Sequence, residues 1–387
     1  MKILFVNEST KISGGVDTVL NAEIKGLREN GFKVDLFEFS HNKFLSYKIS
    51  QKIKSINLYL SEEKKIKNIK EKIDLFKPDV VHFHNTYPFL RKPLWSNDLF
   101  KEIKVVQHLH NYYPFCLNSF FYREEKICTE CFDNNNFNSG IKNSCYDYSK
   151  LKTLLASYNR PIPSKWLEYS ENVNLFLGVS QFVVDKYVEF GLNEEKIKKL
   201  YNGIDIKKRT DVVSTGSYAL FLGNIVNSKG VTIVCELAER NRDIGFKIAG
   251  LGRDLTMLKE KYKHLSNLTF EGFVRGEKKS KLLNNCRFLL FPILSWESFG
   301  LVILEAMAFG KYVITSGLGG TSELVEDGVN GFIIKENDIK GYEKVVRNLW
   351  ENLVPSTVNI GIQKKILSNF SYDKHTQNLI EYYESII

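Results

Sequence analysis

Short apolar runs alternate with longer segments of helical period, and the alternation starts afresh halfway along the chain; no other feature restricts the fold as much. Residues 2–7 read as an apolar strand, 17–30 as an amphipathic helix stopped at Gly31, and 33–39 as the next strand, which makes a βαβ unit. Further strands are predicted at 78–84, 103–110, 174–179 and 198–201, with spacings long enough for crossovers and hence for parallel pairing. A polar stretch, 207–217, reads as a linker. The pattern then resumes with strands at 218–223, 245–249, 267–270, 287–292, 311–315 and 331–334. A chain of 387 residues, 43% hydrophobic and 26% charged, is too long for one core and too apolar to stay disordered. The expectation is an α/β protein of two facing Rossmann-like, doubly wound domains, 1–205 and 206–371, with an interdomain cleft for ligands. A closing helix, 372–387, is free to pack back on the first domain.

The formal charge of +9 suits nucleic acid, an anionic membrane or phosphorylated substrates. Its distribution says more. From 41 to 77 ten lysines stand against four acids, interleaved with Phe44, Leu45, Tyr47, Ile49, Ile53, Ile56, Leu58 and Leu60, the pattern of one or two basic amphipathic helices. Such a stretch is either a solvated helical face or a contact with an anionic membrane surface. Nucleic acid is disfavoured, because zinc-finger spacing, a basic zipper and an aromatic RNP-type strand are all missing. The sequence opens directly on an apolar strand without a signal-peptide pattern, and no apolar run reaches roughly eighteen residues. A cytoplasmic protein is expected, soluble or peripheral on the inner face of the membrane.

The densest chemistry lies between Phe291 and Ile334, FPILSWESFGLVILEAMAFGKYVITSGLGGTSELVEDGVNGFII. A strand ends at Ser295, a loop holds Glu297, and a helix is predicted to begin near Phe299 and end at Gly310. The first amides of that helix, on Phe299, Gly300 and Leu301, together with the positive end of its dipole, form an anion site suited to a diphosphate, and Gly300 permits close approach. Glu297 and Glu305 make a poor acid and nucleophile pair for glycoside hydrolysis. Eight residues of helix separate their backbones by about 12 Å, against roughly 5–9.5 Å between carboxylates in such enzymes. They suit two hydroxyl-binding carboxylates, the bland alternative being a loop acid and an ordinary helix carboxylate.

With the following EAMAFGKYVIT, then Gly319-Gly320 and Glu323, the Glu297-x7-Glu305 spacing resembles the signature of glycosyltransferase family four. The likeness extends to FLGNIVNSKG (221–230), IAGLG (248–252), EGFV (271–274), GVS (178–180) and YNGID (201–205), and so covers most of the chain. It implies the GT-B fold, retention at the anomeric carbon, a nucleotide-sugar donor and no essential metal or other cofactor. By resemblance Glu297 contacts the donor sugar, Glu305 the ribose and Lys229 the phosphates, with UDP- and GDP-sugars as the leading donor classes. Two positions depart from the family, Tyr312 where it commonly has Pro, read as a strand-entry change, and one of more consequence. Where it usually has Arg this chain has Asn224, a hydrogen-bond donor without charge, which shifts leaving-group stabilisation toward Lys229 and the helix terminus. Without the motif, Lys229 would read as a surface lysine in a strand-to-helix loop.

In the first domain Gly14 and Gly15 occupy the first strand-to-helix turn, either as amide donors to the same ligand or as a plain glycine turn. The segments DVVHFHN (79–85) and KVVQHLHN (104–111) both end in His-x-His-Asn, and strand alternation puts each histidine pair on one face. By the resemblance, His110 with Asn111 takes the place of the family's His-Asp element near the acceptor and donor sugar. His82, His84 and His108 read as packed, satisfied histidines. A zinc site among the four is disfavoured, because neither carboxylate nor cysteine stands at ligand spacing. Cys116, Cys128, Cys131 and Cys145 fall within thirty residues and include a Cys-x2-Cys, so a structural zinc clip and free thiols are both open. Cys235 and Cys286 read as buried.

Together these features predict a retaining glycosyltransferase acting on a glycan or lipid-linked acceptor in surface polysaccharide synthesis. The rivals are a nucleotide-sugar epimerase or a phosphorylase on the same fold, and a non-catalytic nucleotide-binding subunit, to which Asn224 lends weight. A P-loop NTPase is excluded, since no G-x4-G-K-[ST] occurs.

Overall fold

Strands that are apolar at every position must be covered on both faces, and parallel sheets flanked by crossover helices provide that cover. The computed structural model describes residues 1–9, 14–40, 62–85, 93–96, 98–146, 148–205, 216–352 and 356–387. The chain divides into two units: Met1–Phe121 with Thr129–Asn202 and Tyr372–Ile387, and Tyr122–Cys128 with Gly203–Ser371.

The first unit holds a six-stranded parallel sheet of β1 (Lys2–Ser9), β2 (Lys33–Ser40), β3 (Val80–Phe83), β4 (Lys104–Leu109), β7 (Leu175–Gly178) and β8 (Ile197–Lys199), in the order β2-β1-β3-β4-β7-β8. Strand β3 and strand β7 are buried at all four positions. A short antiparallel hairpin, β5 (Tyr122–Arg123) with β6 (Lys126–Ile127), groups with the second unit. The second sheet contains β9 (Ala219–Leu222), β10 (Phe246–Ala249), β11 (Leu268–Gly272), β12 (Phe288–Phe291), β13 (Tyr312–Thr315) and β14 (Gly331–Ile333). Its order, β11-β10-β9-β12-β13-β14, is the 3-2-1-4-5-6 arrangement of dinucleotide-binding sheets. The expected α/β architecture of two doubly wound sheets is thus present, and every predicted strand forms, shifted by at most two residues at either end.

The differences are local. The first helix runs Gly15–Glu29 and takes in residues read as a glycine turn. The hairpin gave no periodic signal because its strands are two residues long; its turn puts Glu124 and Glu125 at φ 51° and 61°. Within the basic stretch 41–77, residues 41–61 lie outside the described residues, as do 207–215 of the linker. The helix Glu62–Phe76 turns Ile69 and Ile73 into the interior, and Lys72 pairs with Asp35 on β2. Among the described residues no helix is long and apolar enough to cross a membrane.

The closing helix, Tyr372–Glu384, belongs to the first unit. Leu379 and Tyr383 are wholly buried in one core with Ile3, Phe5, Leu27, Val80 and Leu177. Gly26 permits this packing, for a Cβ there would lie 2.3 Å from Thr376 Oγ1. Leu379→Ala is therefore expected to cost about 2–5 kcal/mol of stability in urea titrations of the whole chain; an unchanged midpoint would remove the closing helix from the core.

Candidate active site

Sheet order reverses between β9 and β12, so the loops leaving their C-terminal ends diverge and open the crevice in which doubly wound sheets bind ligands. The loop after β9 carries Asn224 and a one-turn helix, Asn227–Lys229; the loop after β12 carries Glu297. Backbone contacts lock the two loops together. Leu294 donates its N–H to the Ser228 carbonyl at 2.9 Å. Gly230, at φ 72°, lies so close to β12 that a Cβ would stand 1.8 Å from the Pro292 carbonyl oxygen. On the other side Gly320 donates its N–H to the Glu297 carbonyl at 2.8 Å. Gly319, at φ 76°, permits that approach, since a Cβ there would meet the same carbonyl oxygen at 2.2 Å.

The pinned loops bring Lys229 Nζ against Glu297 Oε2, with both side chains only 13% exposed. The ammonium also lies 5.9 Å from the centroid of the Phe291 ring. Asn224 is exposed on the first loop, and the neighbouring turn is held by Asn227 N–H donating to Asp254 Oδ2 at 2.7 Å.

The helix after Glu297 begins later than predicted. It spans Leu301–Ala308, with Gly300 as its left-handed cap at φ 93°. Phe299 is not helical because its ring is buried, 6.4 Å from that of Phe370, and the chain must turn sharply at Gly300 to enter the helix. Its opening amides are therefore those of Leu301 and Val302, while Ile303 N–H donates to the Gly300 carbonyl at 2.8 Å. Glu305, on this helix, accepts from Lys279 Nζ at 2.5 Å.

In the first unit Gly14 and Gly15 are exposed at the start of the first helix, and Gly14 N–H donates to Asp17 Oδ2 at 2.9 Å. That amide is committed to the helix's own carboxylate. His110 follows β4, its Nε2 2.9 Å from His84 Nδ1, and burial pushes its imidazole well below the ordinary histidine range. A cavity of about 20 Å³, large enough for one water, lies beside it against Gln107, Asn111 and Tyr113. His82, His84 and His108 are buried as predicted, but not satisfied: His82 Nε2, His84 Nε2 and both nitrogens of His108 lack hydrogen-bond partners. The carboxylate that ligand spacing failed to supply comes from Glu23, wholly buried on the first helix. The available signal was a charged residue among Leu20, Ile24 and Leu27 on an otherwise apolar stripe.

All six cysteines are free thiols. Cys131 packs with Leu117 and Phe137, with Cys145 against them; burial pushes the Cys116 thiol up, and its Sγ donates to Asn118 Oδ1 at 3.1 Å. Cys128 belongs to the segment grouped with the second unit. Cys235 and Cys286 are buried, which raises both thiols to about 12. Among the described residues Glu23, His82, His84 and His108 lie close enough for one metal ion, and the four cysteines do not form such a group.

Comparison with known proteins agrees with this architecture. The family model for Glycosyltransferase Family 4 matches residues 13–208, and that for Glycosyl transferases group 1 matches residues 204–363. The O-antigen chain mannosyltransferase C of Escherichia coli is 32% identical over 139 residues, 35% of this chain and 38% of the relative. The UDP-Gal:alpha-D-GlcNAc-diphosphoundecaprenol alpha-1,3-galactosyltransferase of Escherichia coli is 26% identical over 220 residues, 51% of this chain and 57% of the relative. An uncharacterized glycosyltransferase of Methanocaldococcus jannaschii is 29% identical over 216 residues, 52% of this chain and 58% of the relative. The matched region thus spans less than two thirds of each of these relatives. Among solved structures, Anabaena HepE in complex with UDP and glucose superposes with a TM-score of 0.69 at 17% identity, covering 100% of both chains. Sucrose-phosphate synthase from Thermosynechococcus elongatus superposes at 0.72 with 14% identity, covering 99% of this chain and 98% of that one. With a family model matching half its length and the two sheets of the GT-B fold in place, the chain belongs to glycosyltransferase family 4, the group 1 glycosyl transferases.

Proposed function

We propose that this protein transfers a glycosyl group, with retention of anomeric configuration, from a nucleoside-diphosphate sugar to a glycan or lipid-linked acceptor in surface polysaccharide synthesis. The observation that carries this reading is the Lys229–Glu297 pair, held by glycine-permitted backbone contacts where the second sheet reverses order. Departure of the nucleoside diphosphate leaves negative charge on phosphate and positive charge on the anomeric carbon. Lys229 and the first amides of the helix Leu301–Ala308 meet the former, and Glu297 accepts from sugar hydroxyls and faces the latter. In this scheme no divalent ion is required at the phosphates. Glu305 takes the ribose hydroxyls in exchange for Lys279, Asn224 adds a neutral donor, and His110 serves the sugar or acceptor. Retention follows from acceptor attack on the face from which the diphosphate leaves.

The names of the two Escherichia coli relatives, one an O-antigen enzyme and one acting on a diphosphoundecaprenol-linked sugar, support a lipid-linked or polysaccharide acceptor. HepE, solved with UDP and with UDP-glucose, supports a uridine nucleotide as the first donor to try. Such acceptors lie at the cytoplasmic face of the membrane, where the basic residues 41–77 would meet anionic lipid.

Three outcomes test this reading. In a thermal-shift screen of UDP-, GDP-, ADP- and dTDP-sugars, one nucleotide class should raise Tm well above the others; equal responses to all, or none, count against a donor site. With that donor and a lipid-linked acceptor, Lys229→Ala should lower kcat by about 10²–10³ and weaken nucleoside diphosphate binding, and near wild-type turnover would remove Lys229 from the chemistry. Glu297→Gln should lower turnover comparably yet leave binding of the sugar-free nucleoside diphosphate intact, so a parallel loss of both contradicts its assignment to the sugar. Donor conversion without acceptor, or a requirement for inorganic phosphate, would instead identify an epimerase or a phosphorylase.

A further inference from the structure

Five of the chain's seven histidines, His82, His84, His108, His110 and His375, gather around the single carboxylate of Glu23. Glu23 is wholly buried, and an ionised carboxylate so placed needs opposite charge or a full set of donors. His375 Nε2 reaches Oε1 at 2.8 Å. The other oxygen is different. Oε2 faces His84 Nε2 at 2.9 Å, yet neither atom makes an aligned hydrogen bond, and both stay without a partner. His82 Nε2 and both ring nitrogens of His108 share that condition, His108 Nδ1 lying 3.4 Å from Glu23 Oε1. So many unpartnered nitrogen and oxygen atoms in one buried spot is far from the usual economy of a protein interior.

The far sides of two rings are arranged differently. His82 Nδ1 lies 2.6 Å from Tyr383 Oη, and His84 Nδ1 lies 2.9 Å from His110 Nε2. An imidazole that donates through Nδ1 to an outer partner presents the bare lone pair of Nε2 inward, which is how metal-bound histidines are held and oriented. Burial also pushes His82 and His108 well below the ordinary histidine range, toward the neutral form that binds metal.

We propose that Glu23, His82, His84 and His108 form a closed structural site for one transition-metal dication, with zinc the best fit to three imidazoles and a carboxylate. One ligand atom from each residue lies within 4.8 Å of all the others. A tetrahedral shell with bonds of 2.0–2.1 Å has its donors about 3.3 Å apart, so binding draws the four side chains together. With four protein ligands and complete burial the ion leaves no open position for substrate, so its role is to tie the first helix to β3 and β4. Through His375 on Glu23 and Tyr383 on His82 it also braces the closing helix. The site lies in the first unit and does not depend on the donor chemistry proposed for the second.

The test uses the full chain without a histidine tag, produced in zinc-supplemented medium and analysed by mass spectrometry for bound metal. About one zinc per chain is expected, together with a fall in Tm when a chelator removes it from partly denatured protein. Cobalt(II) refolded into the stripped chain should give the intense visible bands of a tetrahedral site. Glu23→Gln and His108→Gln keep volume and should weaken cobalt binding by more than about a hundredfold, whereas His110→Gln, an outer partner, should lose roughly 10–100-fold. Circular dichroism separates loss of metal from loss of fold. A folded wild-type chain that retains no zinc, cobalt, nickel or manganese above a tenth of an equivalent, or folded ligand variants that bind as wild type does, would overturn the site.

Discussion

The chemistry of the second unit depends on how closely backbone can approach backbone where β9 and β12 part. A side chain at Gly230 would collide with the Pro292 carbonyl, and one at Gly319 with the Glu297 carbonyl, so both loops meet only because those positions carry no Cβ. The left-handed φ at each position adds a second reason, since other residues reach that region only with strain. Rigidity is what this closeness gains. Lys229 and Glu297 sit on loops, yet each loop is tied down by backbone: the Ser228 carbonyl accepts from Leu294 N–H just past β12, and the Glu297 carbonyl accepts from Gly320 N–H.

Pairing a lysine with a glutamate where both side chains are largely buried also suits an exchange of partners. Removing either charge alone would leave the other uncompensated, at a cost of about 3–5 kcal/mol for a buried pair. A diphosphate avoids that penalty at Lys229, because one anion replaces another. In the proposed donor complex Glu297 would lose its cation but gain sugar hydroxyls, which donate hydrogen bonds to a carboxylate. Asn224 makes the balance tighter, as it brings no charge. The helix terminus offers the equivalent of roughly half a positive charge, so under the proposed reaction Lys229 would carry most of the neutralisation. The same logic gives Glu305 a replaceable partner in Lys279, whose ion pair is about one-third exposed and easily opened.

Most of the fold was legible because strands inside parallel sheets are apolar at nearly every position, as in the FLLF of β12 and the LFLG of β7, and such runs stand out against helical period. The Tyr122–Ile127 hairpin was not, since two-residue strands carry no period. The helix start was misplaced by two residues because Phe299 fits a helix by propensity, and only the aromatic contact with Phe370, seventy-one positions away, takes it out. The motif residues announced themselves through local spacing. Glu23 did not, because its partners come from β3, β4 and the far end of the chain, and their meeting is a property of sheet order.

That long reach has a consequence for how the first unit is completed. Glu23 and His375 are 352 positions apart, and Leu379 and Tyr383 fill the same core as Ile3 and Phe5. Contacts of such separation form late, because the intervening chain must first give up its loop-closure entropy. The strands β1 to β4 can pair as soon as they emerge from the ribosome, but the buried carboxylate stays short of its His375 partner until the last residues arrive. An unpaired charge in a closed core is costly, so before that moment the first helix has reason to remain loosely docked. The closing helix therefore does more than cover apolar surface: it supplies the polar partner without which the inward face of the first helix is electrostatically incomplete.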